Sequence, residues 1–189
     1  MYILNTYFTN ILHDIHKRPL FFVLFLLLSA FCPKVSAQSY DYDYKENAVY
    51  IYNFIKYTDW PEGKNTIVVG VVGYTQFVPE FRRLLLKKKN STVNIILKYI
   101  KPSEANAVNV VLVAAGSSDK LKEIQTVTSK MPILIITEKG DLNRQGACIS
   151  LFIDEEDEFK TRYQLSLRNC RARGLDVSEQ ILNNAILVR

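Results

Sequence analysis

The chain has few side chains able to do covalent chemistry, and their positions limit what they can do. It carries two histidines, His13 and His16, and three cysteines, Cys32, Cys148 and Cys170. Both histidines and Cys32 sit in or beside an N-terminal stretch with the layout of a secretory signal. His16-Lys17-Arg18 form a basic flank, Leu20 to Phe31 is an apolar run, and Val35-Ser36-Ala37 sets small residues ahead of Gln38. The run is shorter than the roughly 20 apolar residues that a membrane span needs. Phe31 is too large for the residue before a lipidated cysteine, so cleavage is expected near Ala37. The chain left after cleavage would hold no histidine. That removes Ser-His-Asp and Cys-His nucleophiles and histidine metal sites. The expectation is a protein that is not an enzyme, with no cofactor and no metal.

Cys148 and Cys170 remain in what would be an oxidising compartment. They are too few for a four-ligand zinc site, which leaves a disulfide or two thiols. The segments ACISLFI (147–153) and FKTRYQLSL (159–167) read as a hairpin. If Ile153 faces Lys160, Cys148 faces Leu165 and Cys170 lies about 17 Å further along a straight strand. A bridge needs Cα atoms within about 7 Å. Bridging therefore requires the chain after Leu167 to turn back, which the Arg171-Ala172-Arg173-Gly174 stretch could allow.

Two strand-to-helix turns, GVVGYT (70–75) and AAGSSD (114–119), are the candidate ligand positions, through Gly73, Tyr74, Gly116 and Ser117. Ligands of open α/β sheets favour the carboxyl ends of strands. Neither turn matches a dinucleotide or P-loop pattern. DEEDE (154–158) lacks the spacing and glycine of a calcium loop and reads as a solvated hairpin tip. Lys87-Lys88-Lys89 reads as a solvated helix end. Asn90-Ser91-Thr92 is a glycosylation sequon, relevant only in a eukaryotic secretory route. The net charge is +5. Cleavage would remove Lys17, Arg18 and Lys34 against Asp14 and leave +3, too little for a nucleic-acid footprint.

The elements that must position these residues follow from pattern. SYDYDYKEN reads as a flexible arm. Ala48, Ile51, Tyr52 and Ile55 recur at helical spacing, widened by Tyr50, Phe54 and Tyr57, and Trp60-Pro61 is expected to end this helix. Trp60 is expected to be largely buried against the sheet. NTIVVGVVG (65–73) has the continuous β-branched character of a strand covered on both faces. A helix over YTQFVPEFRRLLLKKKN follows, then strands over 92–100 and 109–116. A helix with a Ser/Asp start spans 117–130, a strand spans 132–138, the hairpin follows, and a last helix is capped at Ser178. Alternating strands and helices predict an α/β fold: a single three-layer domain, a mainly parallel sheet flanked by helices, and a late antiparallel hairpin. The organisation expected is a signal peptide over 1–37, a flexible arm over 38–44 and the domain over 45–189.

Tyr52, Asn53, Phe54, Lys56, Tyr57, Trp60 and Pro61, followed by a strand carrying Gly70 and Gly73, resemble the start of the YfiR/HmsC-like family of exported bacterial proteins. Gly146 ahead of the hairpin and the stretch LSLRNCRARGLDVSEQIL agree with its C-terminal part. The resemblance spans roughly residues 45–188. It implies an exported, often dimeric α/β domain. Its best-understood members restrain a membrane-bound diguanylate cyclase by binding the cyclase's periplasmic part, with disulfides tuning the restraint. Relatives often carry a cysteine just ahead of the third strand, where Val108 and Asn109 stand here.

The expected function is therefore periplasmic restraint of a membrane-bound signalling partner, of diguanylate cyclase or sensor kinase type, through its extracytoplasmic part. A homodimer is compatible with this, and nucleic acid is not an expected partner. The alternative is a periplasmic small-molecule binding protein that uses the strand-end turns.

Overall fold

The computed structural model describes residues 44–61, 63, 65–88, 93–157 and 160–188. The signal peptide, nearly all of the N-terminal arm, Lys89, the 90–92 sequon and Glu158 lie outside the described residues.

The first helix, α1 (Tyr44–Lys56), buries Ala48, Ile51, Tyr52, Phe54 and Ile55, the face that its spacing predicts. It ends four residues before Trp60 rather than at the Trp-Pro pair. Thr58–Asp59 instead forms a short strand, β1, paired antiparallel with β8 (Asp176–Val177). The Thr58 hydroxyl donates to the Phe54 carbonyl at 2.6 Å, and the Ser178 amide donates to the Tyr57 carbonyl at 3.0 Å. The helix stops because its last groups find these partners, not because proline forbids continuation.

The main sheet contains β2 (Thr66–Val72), β3 (Asn94–Tyr99), β4 (Val110–Val113), β5 (Leu134–Thr137), β6 (Ile149–Asp154), β7 (Lys160–Leu165) and β9 (Ile186–Leu187). Its order is β3-β2-β4-β5-β6-β7-β9. The first five run parallel, β7 runs antiparallel to β6, and β9 parallel to β7. The chain steps outward from β2 to β3 and then returns to place β4 on the other side of β2. Helix α2 (Phe77–Lys87) joins β2 to β3, and α3 (Leu121–Val127) joins β4 to β5. Right-handed crossovers in opposite directions put these helices on opposite faces, which gives the three layers. Helix α1 packs on α2, and a 3₁₀ segment at Pro102–Ala107 packs on α3. The residues of β4 and β5 are all buried, while β3 at the edge is largely half-exposed or exposed. That contrast follows from coverage: central strands have a helix layer on each face, and an edge strand does not.

Four expectations need correction. The helix over 117–130 opens as a 3₁₀ turn at Ala115–Lys120, without a side-chain cap, and is α-helical only over Leu121–Val127. The C-terminal helix is one turn, α5 (Glu179–Leu182), and Ser178 makes no side-chain capping bond. The chain then adds β9 beside β7, because Gln164 and Leu165 leave an open sheet edge there for Ile186 and Leu187. The hairpin register is shifted by one residue: Ile153 faces Thr161, and Ile149 faces Leu165.

The tip of the hairpin holds its own charges. Arg162 pairs with Asp154 at 3.1 Å and Asp157 at 2.9 Å, and Lys160 pairs with Asp157 at 3.0 Å. Beneath it, Tyr163 meets Phe54 and Tyr50 edge-on, with centroids 4.8 and 5.3 Å apart. Its hydroxyl donates to the Ile181 carbonyl at 2.6 Å, which ties α5 to the sheet.

Candidate functional site

Two regions gather the residues that the sequence singles out. The first is the seam around Trp60. Of the motif residues, Tyr52 and Phe54 are core, Asn53 and Tyr57 are half-buried, and Lys56 and Pro61 are exposed. Trp60 is half-buried rather than largely buried. One side of its ring packs on the core, and its indole N–H donates to the Ile55 carbonyl at 2.9 Å. That carbonyl is one of the last in α1 and has no partner within the helix, so the tryptophan serves as a side-chain cap. The rest of the ring lines a cavity of about 410 Å³ with Asp59, Pro61, Arg171, Gly174, Leu175 and Asp176. The far wall comes from α4 (Leu167–Arg171) and the turn into β8. Arg171 and Asp176 lie 3.7 Å apart there, both exposed. The lining therefore mixes Trp60, Pro61 and Leu175 with the charged Asp59, Arg171 and Asp176, a mixture that protein contact surfaces share.

The second region is the group of turns where β2, β4 and β5 end. The sheet order reverses between β2 and β4, the position where open α/β sheets favour ligands, but the two strands stay paired to Val72 and Val113 and the turns after them are in contact. Gly73 has φ +88°, and a Cβ there would stand 2.1 Å from Ser117 Oγ. Only glycine lets the two turns approach this closely. Tyr74 is 83% exposed. A Cβ on Gly116 would point into open space. The structure thus brings Gly73, Tyr74, Gly116 and Ser117 together.

It also brings in a residue that the sequence reading passed over. Glu138 follows β5 directly, and its backbone amide donates to the Val113 carbonyl at 3.0 Å. Its carboxyl accepts the Thr75 hydroxyl at 2.8 Å and the Ala115 amide. The same Thr75 oxygen accepts the Phe77 amide at 3.1 Å, which fixes its proton toward Glu138. Burial pushes the Glu138 carboxyl up to about 7 against the two hydrogen bonds that favour its charge. Burial, and then the Glu138 carboxylate, push the Tyr44 phenol upward. The signal for Glu138 was present in the sequence as an acidic residue closing a buried strand, ILIITE, at the end of the sheet where ligands bind.

Cys148 and Cys170 are both fully buried and unbridged. They lie close enough to hydrogen bond, and that bond, with burial, pushes the Cys170 thiol far up. The chain does turn back after Leu167, but earlier than the Arg171–Gly174 stretch. Ser166 accepts the Asn169 amide at 3.3 Å as the cap of α4, and that single turn carries Cys170 over Cys148.

Comparison with known proteins identifies the family and supports the fold. The YfiR/HmsC-like family model matches residues 44–186, and the chain belongs to that family. Family members act as periplasmic regulators of diguanylate cyclases and are regulatory rather than catalytic. No curated protein matches. Among solved structures, the chain is similar to a conserved domain protein from Vibrio cholerae O1 biovar El Tor strain N16961. The TM-score is 0.53 at 11% identity, over 78% of this chain and 60% of that one. The chain thus spans less than two thirds of that protein, and the likeness supports the α/β fold. Among the described residues, no helix is long and apolar enough to cross a membrane.

Proposed function

We propose that this protein is a non-enzymatic periplasmic regulator that docks on the extracytoplasmic part of a membrane-bound signalling protein, of diguanylate cyclase or sensor kinase type, and holds it inactive. The observation that carries the reading is the seam. Trp60 and Pro61 of the family motif line a surface cavity together with Leu175 and the charged Asp59, Arg171 and Asp176, and the exposed Lys56 precedes them in the chain, which supports docking at this seam. The leader sequence and family membership support export. Deleting the protein in the cell that makes it should raise the cyclic diguanylate pool if the partner is a cyclase, or the phosphorylated regulator if it is a kinase. Wild type should restore either level, and Lys56→Glu with Pro61→Asp should not. Unchanged levels of both on deletion would refute restraint. The reading extends to a homodimer, which light scattering on the purified protein tests.

The touching thiols give this reading a redox arm. An oxidant that takes two electrons and two protons from the pair would close a loop of about 22 residues, stabilising the fold by roughly 3 kcal/mol. Thiol counting on denatured, oxidant-treated protein should find none of the two. Two reactive thiols would remove redox control.

A second reading, a periplasmic small-molecule binding protein using the strand-end turns, is favoured by one observation. The Glu138 carboxyl forms no ion pair with any Lys or Arg among the described residues.

A further inference from the structure

We infer that the cavity between the C-terminal ends of α3 and α4 binds the phosphate group of a ligand, with Lys130 and Arg173 as its cations and Gln125 and Ser129 as neutral donors. The cavity shares no residue with the Trp60 seam or the strand-end turns, so the inference is independent of both readings above.

The cavity has a volume of about 330 Å³, within the roughly 300–1,000 Å³ of ligand pockets. Its charged lining residues are Lys130 and Arg173, and no Asp or Glu lines it. Neither cation forms an ion pair among the described residues. Arg173 donates through Nη1 to the Thr128 carbonyl at 3.0 Å and to the Thr128 hydroxyl at 3.2 Å. These bonds hold the guanidinium without a counter-charge. Its Nε and Nη2 hydrogens make no hydrogen bond among the described residues. That edge matches two oxygens of one phosphate.

The neutral donors agree with the cations. Gln125 lines the cavity, and its Nε2 is buried and donates to nothing among the described residues, a costly state for an amide. Gly146 makes room for that amide: its φ is +96°, and a Cβ there would stand 2.1 Å from Gln125 Nε2. A turn of the Gln125 side chain toward a ligand oxygen would give Nε2 its acceptor. Lys130 has φ +60°, a region that favours glycine, so the turn after α3 has no backbone need for a lysine. Asn169 commits its amide group to the Asn143 and Ala147 carbonyls, each at 2.7 Å, and forms a wall. Four donor groups are more than the two oxygens of a carboxylate need. A phosphate monoester offers three oxygens and nearly two charges. The same chemistry is presented by a soluble phosphate ester and by a lipid headgroup.

The test is amide chemical-shift mapping on the full chain with inorganic phosphate, against sodium chloride at the same ionic strength. Phosphate should shift Gln125, Lys130, Gly146 and Arg173 saturably, and chloride should not. Lys130→Gly suits the left-handed backbone and should keep the spectrum of a folded protein while weakening binding about tenfold or more. Arg173→Gln should weaken it at least as much. Lys122→Gln, an exposed change on α3 outside the cavity, should leave it unchanged. Sedimentation with vesicles of phosphatidylcholine containing phosphatidylglycerol distinguishes the sources. Vesicle binding that Lys130→Gly abolishes would assign the phosphate to a lipid headgroup, and its absence would assign it to a soluble ester. No saturable shift with phosphate, equal shifts with chloride, or binding untouched by Lys130→Gly would overturn the inference whatever the vesicles do.

Discussion

The seam at Trp60 and the strand-end turns at Glu138 are both built where a helix or strand ends, yet they treat their polar groups in different ways. At the seam three backbone carbonyls at the end of α1 are answered from within the chain. The indole takes the Ile55 carbonyl, Thr58 takes that of Phe54, and Ser178 takes that of Tyr57. At the strand-end turns a carboxyl is drawn out of water and given two neutral bonds. The first arrangement is complete alone and offers shape. The second leaves a carboxyl without an ion-pair partner among the described residues. On the reading proposed above, a partner that docks by surface complementarity belongs to the former.

Substitutions test each region separately. The largest effect is expected at the seam, where Trp60→Ala should cost about 3 kcal/mol in urea unfolding. That is the low end for aromatic truncation, because the ring is half-buried. Trp60→Phe should cost about 1 kcal/mol, the indole hydrogen bond alone. A loss under about 1 kcal/mol for the alanine would mean that the seam is not a packing element.

At the strand-end turns, stability should depend on pH with a definite sign. The Glu138 carboxyl is raised from an ordinary 4.5 to about 7 in the folded state, so the folded chain holds the proton more tightly. Its contribution is complete below about pH 4.5 and is lost as pH rises through about 7. The loss should be on the order of 2–3 kcal/mol, and Glu138→Gln should flatten that part of the profile. A stability that instead rose across this window in wild type, and kept the slope in the variant, would contradict an uncompensated carboxyl.

A smaller effect, about 2 kcal/mol, is expected for Gly73→Ala. The change forces a left-handed residue to carry a Cβ and drives it into Ser117. Thermal melting measures it, and a neutral result would mean that the two turns are free to part. The smallest is Thr75→Val, at about 1 kcal/mol. Removing a bond that favours the charged form should also raise the Glu138 titration midpoint further, which carboxyl NMR reads.

The central sheet was plain in the sequence because it rests on composition. Runs such as IVVGVV and NVVLV have no other economical use than buried parallel strands. The face of α1 was equally plain, from three- and four-residue spacing. The small sheet of β1 and β8 was not. Two-residue strands carry no periodicity, and Thr58–Asp59 pairs with a segment near the other end of the chain. The one-turn α5 and the edge strand β9 were hidden for a related reason: DVSEQILNNAILV has helical spacing, and only the open edge beside β7 redirects it. At the site, glycines and a tyrosine in the right turns could be named from local pattern. Glu138 reaches Thr75 across 63 positions of sequence, so its role is visible only once the strands are in order.

The most direct test of docking through the seam is photo-crosslinking in the living cell. A crosslinking residue would be placed at Lys56 or Pro61, and at Glu123 on the exposed side of α3 as a control. Docking predicts an adduct with a membrane-bound signalling protein from positions 56 and 61 and none from 123. Adducts only between copies of this chain, or the same adducts from all three positions, would contradict it.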